Sequence, residues 1–303
     1  MKNSEFYGAM SIVLASIIWG STGTAASFAP NVSPLAIGAF AMGVGGVLLM
    51  LTSLQALKHD RARLMLEFKT LLLGGLSVAI YPLAFYSSMR AAGVAVGTVI
   101  SLASAPLFSV LLERLINKKR ISGLWLFSFL LGGSGIVLLT LGKQHQSSGI
   151  HIWGVVLGLV AALTYAGYSW SAKQMIDRGI DSKSAMASMF GLAAVFLLPS
   201  LFFTSEHMFS SLNNVMVALY MATIPMFLGY LLFGYGLVYV AASKATLITL
   251  LEPTVATLLA IAIVGEQFSA VGWLGMVLIA ACSLLQVIRR PGANRLAVPE
   301  HSN

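Results

Sequence analysis

The stretch that decides the fold reads Ser243-Lys-Ala-Thr-Leu-Ile-Thr-Leu-Leu-Glu252-Pro253-Thr-Val-Ala-Thr-Leu-Leu-Ala-Ile-Ala-Ile-Val264. It is long and apolar enough to cross a bilayer core about 30 Å thick as a helix, and a rise of about 1.5 Å per residue places Glu252 close to the midplane. Inserting an ionisable side chain there costs at least about 2.5 kcal/mol, so such a group usually faces a cavity or a partner. Pro253 removes one backbone donor, which is tolerated where the freed carbonyls line a cavity.

The rest of the chain is comparably apolar. Of 303 residues, 58% are hydrophobic and 9% are charged, with a mean hydropathy of +0.88, whereas globular chains carry about 25% charged residues. Repeated long apolar runs predict an all-α membrane protein and exclude the short alternating strands of a β-barrel. The single cysteine, Cys282, excludes intrachain disulfides, and no histidine has metal-ligand spacing within a span. We therefore expect no metal and no cofactor.

Ten apolar segments are long enough to cross the membrane, and short polar connections separate them. We call them spans 1 to 10. Their predicted limits are 6–28, 34–56, 70–90, 94–116, 121–142, 150–174, 183–203, 214–238, 243–264 and 269–288.

The basic residues follow the alternation of the ten spans. If the N-terminus is cytoplasmic, all but two of the 18 Lys and Arg residues, namely Arg90 and Lys143, fall in cytoplasmic segments. This asymmetry satisfies the positive-inside rule, and it places both termini in the cytoplasm. The net charge of +8 could also indicate nucleic-acid binding, but membrane topology accounts for its distribution, so we expect no nucleic-acid partner.

The two halves of the chain align with each other. A shift of 147 residues aligns Pro106 with Pro253, and a shift of 146 aligns Trp19 with Tyr165. Because each half holds five spans, the second half would be inserted upside down relative to the first, as in many transporters whose site lies at the midplane. Any two strings of apolar helices also align to some extent. The predicted units are 1–145, 146–290 and a disordered cytoplasmic tail, 291–303.

Several of these features together resemble one family of membrane proteins. They are Trp19-Gly20, Pro106, Leu251-Glu252-Pro253, Gly265-Glu266 and Trp273-Leu274-Gly275. With them the chain resembles the drug/metabolite transporter superfamily, specifically its ten-helix EamA-type carriers, over about residues 6–288. The resemblance implies a carrier in the cell inner membrane and not an enzyme, with substrates anywhere among amino acids, amines, sugars, nucleosides and drugs. One departure is that Lys119-Arg120 stand where the first-half equivalent of Glu266 would fall.

Glu252 is the principal candidate site residue. An unpaired carboxylate at that depth suits a proton-coupling group or a counter-ion for an amine. Alternatively, it is a neutral acid that hydrogen-bonds to Tyr or Thr and holds the bend at Pro253. Thr246 and Thr249 share its helix face by their spacing of three residues, and this polar face suits either a cavity or a tight helix contact.

Aromatic residues within the spans are the other candidates, because Tyr and Trp offer an apolar body, a polar group and a ring face that attracts cations. Trp19 and Tyr165 rank first, since they occupy equivalent repeat positions. Transmembrane aromatics also serve as packing residues or interface anchors. Of the other span aromatics, Tyr81, Tyr86 and Tyr168 are site candidates, and Trp170 and Tyr230 belong to the same set. Pro106 and Pro253 are candidates as helix bends that line the cavity.

These observations predict an alternating-access exporter of small organic metabolites, such as amino acids or amphipathic amines. Its substrate would exchange for protons through Glu252. Two alternatives stay open, an uncoupled facilitator or channel and a flippase for lipids or lipid-linked sugars. An enzyme is not expected, because a lone carboxylate lacks a second positioned catalytic group. The bilayer and a small molecule are the expected partners, and the protein is a monomer or a homodimer.

Overall fold

All secondary structure in the computed structural model, which describes residues 2–142, 151–265, 267 and 269–288, is helical. The helices are Lys2–Gly20 and Thr22–Ser27 (span 1), Pro34–Thr52 (span 2), Leu54–His59 and Arg61–Leu66 (between spans 2 and 3), Phe68–Ala92 (span 3), Val94–Leu115 (span 4), Gly123–Leu141 (span 5), Ile152–Asp177 (span 6), Ser182–Thr204 (span 7), Leu212–Met221, π-helical Ala222–Leu228 and Gly229–Tyr239 (span 8), Ala242–Ile248, Leu251–Leu259 and π-helical Ala260–Val264 (span 9), and Ala270–Ile288 (span 10).

Within the described residues, ten helical segments are long and apolar enough to cross a membrane. The prediction of an all-α chain with ten spans is therefore confirmed. The limits differ most, by four residues, at the start of span 1, where the helix begins at Lys2 and not at 6, and at the end of span 2, where it stops at Thr52 and not at 56. Ser53 turns the chain into the two short helices, which carry the charged residues of this connection. The predicted tail 291–303, the boundary near 145 and Glu266 lie outside the described residues.

Three spans are interrupted within the bilayer region. Span 1 breaks at Ser21, span 8 passes through the π-helical turn around Pro225, and span 9 breaks at Thr249–Leu250. Irregular backbone at membrane depth is tolerated where protein or a cavity surrounds it. Span 4 contrasts with them, because its helix continues unbroken through Pro106.

Spans far apart in sequence form the extensive packing interfaces. Span 3 packs on span 6, span 2 on span 7, span 5 on span 10, span 4 on span 6, and span 1 on spans 8 and 9. The set of packed pairs is symmetric between the two halves of the chain. If spans 1 to 5 are exchanged with spans 6 to 10 in order, every packed pair is replaced by a pair that is also in the set. For example, spans 3 and 6 become spans 8 and 1. The buried residues form one main core that reaches from span 1 to span 10.

The connections 53–67, 116–122, 178–181 and 240–241 lie together at one end of the bundle, which we call the basic end. Arg63 donates to the Gly179 carbonyl at 2.7 Å, and the Asp181 backbone N–H donates to Asp60 at 2.9 Å. Arg178 forms an ion pair with Glu67. These contacts join the connection after span 2 to the connection after span 6.

Candidate functional site

A cavity lies between spans 1, 2, 3, 6, 8 and 9, with a volume of about 60 Å³. One water needs about 10–15 Å³ by this measure, so the cavity holds a few waters. Thr22, Gly38 and Met221, which line it, lie in the halves of their spans away from the basic end, while Glu252 lies near the middle of span 9. The cavity therefore extends from mid-membrane depth toward the end opposite the basic end.

The break in span 9 places Glu252 at this cavity. Helix Ala242–Ile248 ends before Thr249, and Glu252 is the second residue of helix Leu251–Leu259. Pro253 cannot donate to the Thr249 carbonyl, and the Glu252 N–H donates to it instead at 3.0 Å. Proline is tolerated in the first helical turn, where its missing N–H costs least, and the partial positive charge of a helix N-terminus favours a carboxylate there.

The Glu252 side chain is half-buried, and it lines the cavity. Four tyrosines from three other spans line the same cavity, namely Tyr81, Tyr86, Tyr165 and Tyr230. Among the described residues no hydrogen bond or ion pair engages this carboxylate, and no Lys, Arg or His lines the cavity. A carboxylate in this position can hold a proton or a cationic group.

A hydrogen bond ties span 6 to the break in span 9. The Tyr165 hydroxyl donates to Oγ1 of Thr249 at 2.7 Å, and the Thr249 hydroxyl donates to the Thr246 carbonyl at 3.0 Å. Both Tyr165 and Thr249 are buried. Because Thr249 stands at the break itself, this bond holds the backbone that presents Glu252.

Aromatic rings from spans 1, 3, 6 and 8 form the walls of the cavity. The Tyr165 ring lies 5.1 Å from the Tyr168 ring and 5.5 Å from the Tyr81 ring. On the other side, Trp19 lies 4.8 Å from Tyr230. The hydroxyls of Tyr168 and Tyr230 hydrogen-bond at 3.1 Å. Spacings of 4.5–7 Å are those of attractive ring pairs, so the walls are tightly packed.

Trp19 and Gly20 bring span 1 against both interrupted spans. The Trp19 indole N–H donates to the carbonyl of Pro225 in the π-helical turn at 2.8 Å. A Cβ on Gly20 would lie 2.6 Å from Cβ of Val255 and 3.0 Å from the carbonyl oxygen of Glu252. The missing side chain at Gly20 thus allows span 1 to approach the backbone of span 9 at Glu252.

Six of the predicted site residues come together around this cavity. They are Trp19, Tyr81, Tyr86, Tyr165, Tyr168 and Glu252. Thr249 joins them through its hydrogen bond to Tyr165. Thr246, Pro106 and Pro253 do not line the cavity, and the Thr246 hydroxyl bonds to carbonyls of its own helix. Thr246 lies in the helix before the break at Thr249–Leu250 and Glu252 in the helix after it, so the two do not share one helix face.

Sequence reasoning missed several lining residues. Met42, Met221 and Met226 add flexible apolar side chains, and Phe85 adds a further ring. Tyr230 was visible as an aromatic residue inside a span, but only its packing against Trp19 assigns it to the site. Nothing in a run of apolar residues distinguishes a lining methionine from one that faces lipid, so no sequence signal identifies the three methionines.

The sequence profile of the EamA-like transporter family matches residues 6–141 and again residues 152–288. The chain belongs to the EamA-like transporter family. It is therefore a multi-pass membrane transporter and not an enzyme, and it acts on a small molecule. The resemblance inferred from Glu252-Pro253 and the other motifs is confirmed.

Other transporters resemble this EamA-like chain over most of its length. An uncharacterized transporter of Bacillus subtilis, YwfM, is 30% identical over 292 residues, which cover 96% of each chain. The inner membrane transporter YicL of Salmonella typhimurium, also described as uncharacterized, is 24% identical and covers 92% of this chain and 94% of its own. A solved crystal structure superposes with a TM-score of 0.76 at 16% identity, over 94% of this chain and 96% of that one, so it shares the fold.

Proposed function

We propose that this transporter exports a small organic metabolite, such as an amino acid or an amphipathic amine, in exchange for protons that bind at Glu252. The supporting observation is that Glu252 faces a cavity at mid-membrane depth without a basic partner among the described residues. A carboxylate at mid-membrane depth is costly unless it is neutralised. A proton and a cationic substrate can each neutralise it, so the two would compete for one site.

The proposed mechanism is alternating access. The cavity extends toward the end opposite the basic end, and the polar contacts of Asp60, Arg63 and Glu67 close the basic end. By the positive-inside rule the basic end is cytoplasmic, so this conformation faces outward from the cell inner membrane. A proton that enters from outside would displace the substrate outward, and closure of the outer end would then carry the proton inward.

We also propose that residues 1–145 and 146–290 are inverted repeats. The exchange of spans described above leaves the set of packed pairs unchanged, and the family profile matches each half separately. Trp19 and Tyr165, which align in the two halves, both line the cavity, and each hydrogen-bonds to an interrupted span. Two such halves can rock about a site between them.

The test is transport in proteoliposomes with an inward proton gradient, comparing the wild type, Glu252→Gln and Glu206→Gln. Glu206 is the matched control, because its side chain is 87% exposed and lies away from the cavity. We expect the gradient to drive transport in the wild type and in Glu206→Gln, and Glu252→Gln to lose that dependence. If Glu252→Gln transports at the wild-type rate with the same pH dependence, Glu252 is structural and the protein is an uncoupled facilitator.

A further inference from the structure

The charge at the cavity wall is of one sign, negative. Glu252 is the only acidic residue among the described residues that line it, and no basic residue accompanies it there. The polar groups that the facing spans contribute to the cavity are neutral, namely the tyrosine hydroxyls, the Thr22 hydroxyl and the Trp19 indole. A bound molecule therefore meets one negative charge and no fixed positive charge.

Some of the hydrogen-bond donors of the site are committed to protein acceptors. The Tyr165 hydroxyl donates to Thr249, the Tyr168 and Tyr230 hydroxyls bond to each other, and the Trp19 indole N–H donates to a backbone carbonyl. The hydroxyls of Tyr81 and Tyr86 also line the cavity, but a neutral hydroxyl is not a counter-ion, so a substrate carboxylate would find no fixed positive charge there. Burying an ion without such compensation costs several kcal/mol, and repulsion from ionised Glu252 would add to that cost.

A cation, by contrast, meets favourable partners on several sides. The side chains of Trp19, Tyr81, Tyr165 and Tyr168 line the same cavity as Glu252. Aromatic faces attract an ammonium group within about 6 Å, more strongly where water is excluded. The flexible side chains of Met42, Met221 and Met226 can move to admit an organic body larger than the few waters that the cavity holds here.

We propose that the cavity selects organic amines without a carboxylate over the corresponding α-amino acids. The ammonium group binds to Glu252 and the aromatic rings, and the apolar body lies against the methionines. This inference rests on the proposed function and narrows its substrate class. The cavity selects against α-amino acids because it offers no counter-ion for their carboxylate.

Pairs of ligands that differ only by the carboxylate provide the test. We would measure binding of 2-phenylethylamine and phenylalanine, and of isobutylamine and valine, to the purified full chain by calorimetry. In each pair the amine should bind at least about tenfold more tightly, because the carboxylate has no counter-ion in the cavity. Glu252→Gln should weaken binding of both members of each pair and reduce the preference for the amine without abolishing it, because the variant removes the repulsion but adds no counter-ion for the carboxylate.

Two further variants separate the ring contribution from general damage. Tyr81→Leu removes a ring from the cavity wall and should weaken binding of the amines. Tyr235→Leu removes a half-exposed ring on span 8 that does not line the cavity, and it should leave binding unchanged. Equal affinities within each pair, tighter binding of the amino acids, or binding of neither member would each overturn the inference.

The outcomes also separate this inference from the proposed function. If the amino acids move with the proton gradient and the amines do not, proton-coupled export stands and amine selection is wrong. If the amines bind with the expected selectivity but their transport ignores the proton gradient, the selectivity stands and proton coupling is wrong.

Discussion

At the scale of single residues, the hydrogen bond between Tyr165 and Thr249 connects the cavity wall to the break in span 9. Tyr165 presents its ring to the cavity, and its hydroxyl holds the residue at which the helix is interrupted. Glu252 follows Thr249 by three residues. The position of the carboxylate thus depends on a bond from another span, and Tyr165 is a positioning residue as well as part of the wall.

Tyr165→Phe and Thr249→Val should each lower stability by about 0.5–1.5 kcal/mol, the usual net contribution of one such bond. Both should weaken amine binding, and the double variant should lose little more than either single variant, because all three lack the same bond. Thermal unfolding and calorimetry in detergent measure both effects. Tyr168→Phe is the control for the loss of a tyrosine hydroxyl elsewhere in the cavity wall, since the Tyr168 hydroxyl bonds to Tyr230 and not to span 9. Additive losses would show that the two hydroxyls act independently.

At the scale of helices, the approach of span 1 to span 9 depends on Gly20. In lipid no hydrophobic driving force holds two helices together. Their association depends on close backbone packing, which small residues permit. Gly20 packs against Val255 and the Glu252 carbonyl, whereas a Cβ on Gly23, one turn later in the same span, would meet nothing within 4 Å. The two glycines therefore differ in what a methyl group would encounter.

Gly20→Ala should destabilise the protein by about 1–3 kcal/mol, the usual cost of overpacking. It should also reduce transport, because span 1 must move away from the backbone that presents Glu252. Gly23→Ala should be neutral or slightly stabilising, since alanine favours the helix. Unfolding temperatures in detergent and initial transport rates measure both. Equal effects of the two substitutions would contradict the packing argument.

At the scale of the whole molecule, the basic end is closed by contacts between two connections. The ion pair of Glu67 with Arg178 is one of them, and the Arg178 side chain is 53% exposed. An exposed pair contributes about 0.2–1 kcal/mol, less than the 1.4 kcal/mol that changes a population tenfold. The pair therefore biases the closed state weakly, and the two connections can separate during transport.

Joining these connections covalently should stop transport. We would introduce Glu67→Cys with Arg178→Cys in a Cys282→Ala background, since Cys282 is the single native thiol and is buried. A short bifunctional methanethiosulfonate should then arrest substrate exchange across proteoliposome membranes, and a reductant should restore it.

The control pair is Arg61→Cys with Met65→Cys. Both residues are exposed and lie four residues apart in the helix Arg61–Leu66 of the connection after span 2. Their crosslink leaves the two connections free to separate, so it should permit transport. Undiminished transport with a complete crosslink between positions 67 and 178 would exclude opening at the basic end.

The all-helical class and the ten spans could be predicted from the amino-acid sequence, because a bilayer requires each spanning segment to satisfy its own backbone hydrogen bonds. That requirement is local, so hydropathy within one window reveals it. The depth of Glu252 followed from its position in span 9 and the rise per residue of a helix. The aromatics Trp19 and Tyr165 were recognisable because they carry polar groups within apolar segments.

Only the tertiary structure decided which of these side chains meet. The partners of span 1 are spans 8 and 9, more than 200 residues away, and no local pattern encodes that choice. Sequence spacing placed Thr246 and Glu252 on one helix face, but the two residues lie in separate helices on either side of Thr249–Leu250, and the Thr246 hydroxyl bonds within its own helix. Side-chain direction depends on helix phase and on long-range packing. The cavity and its lining methionines are therefore properties of the folded molecule.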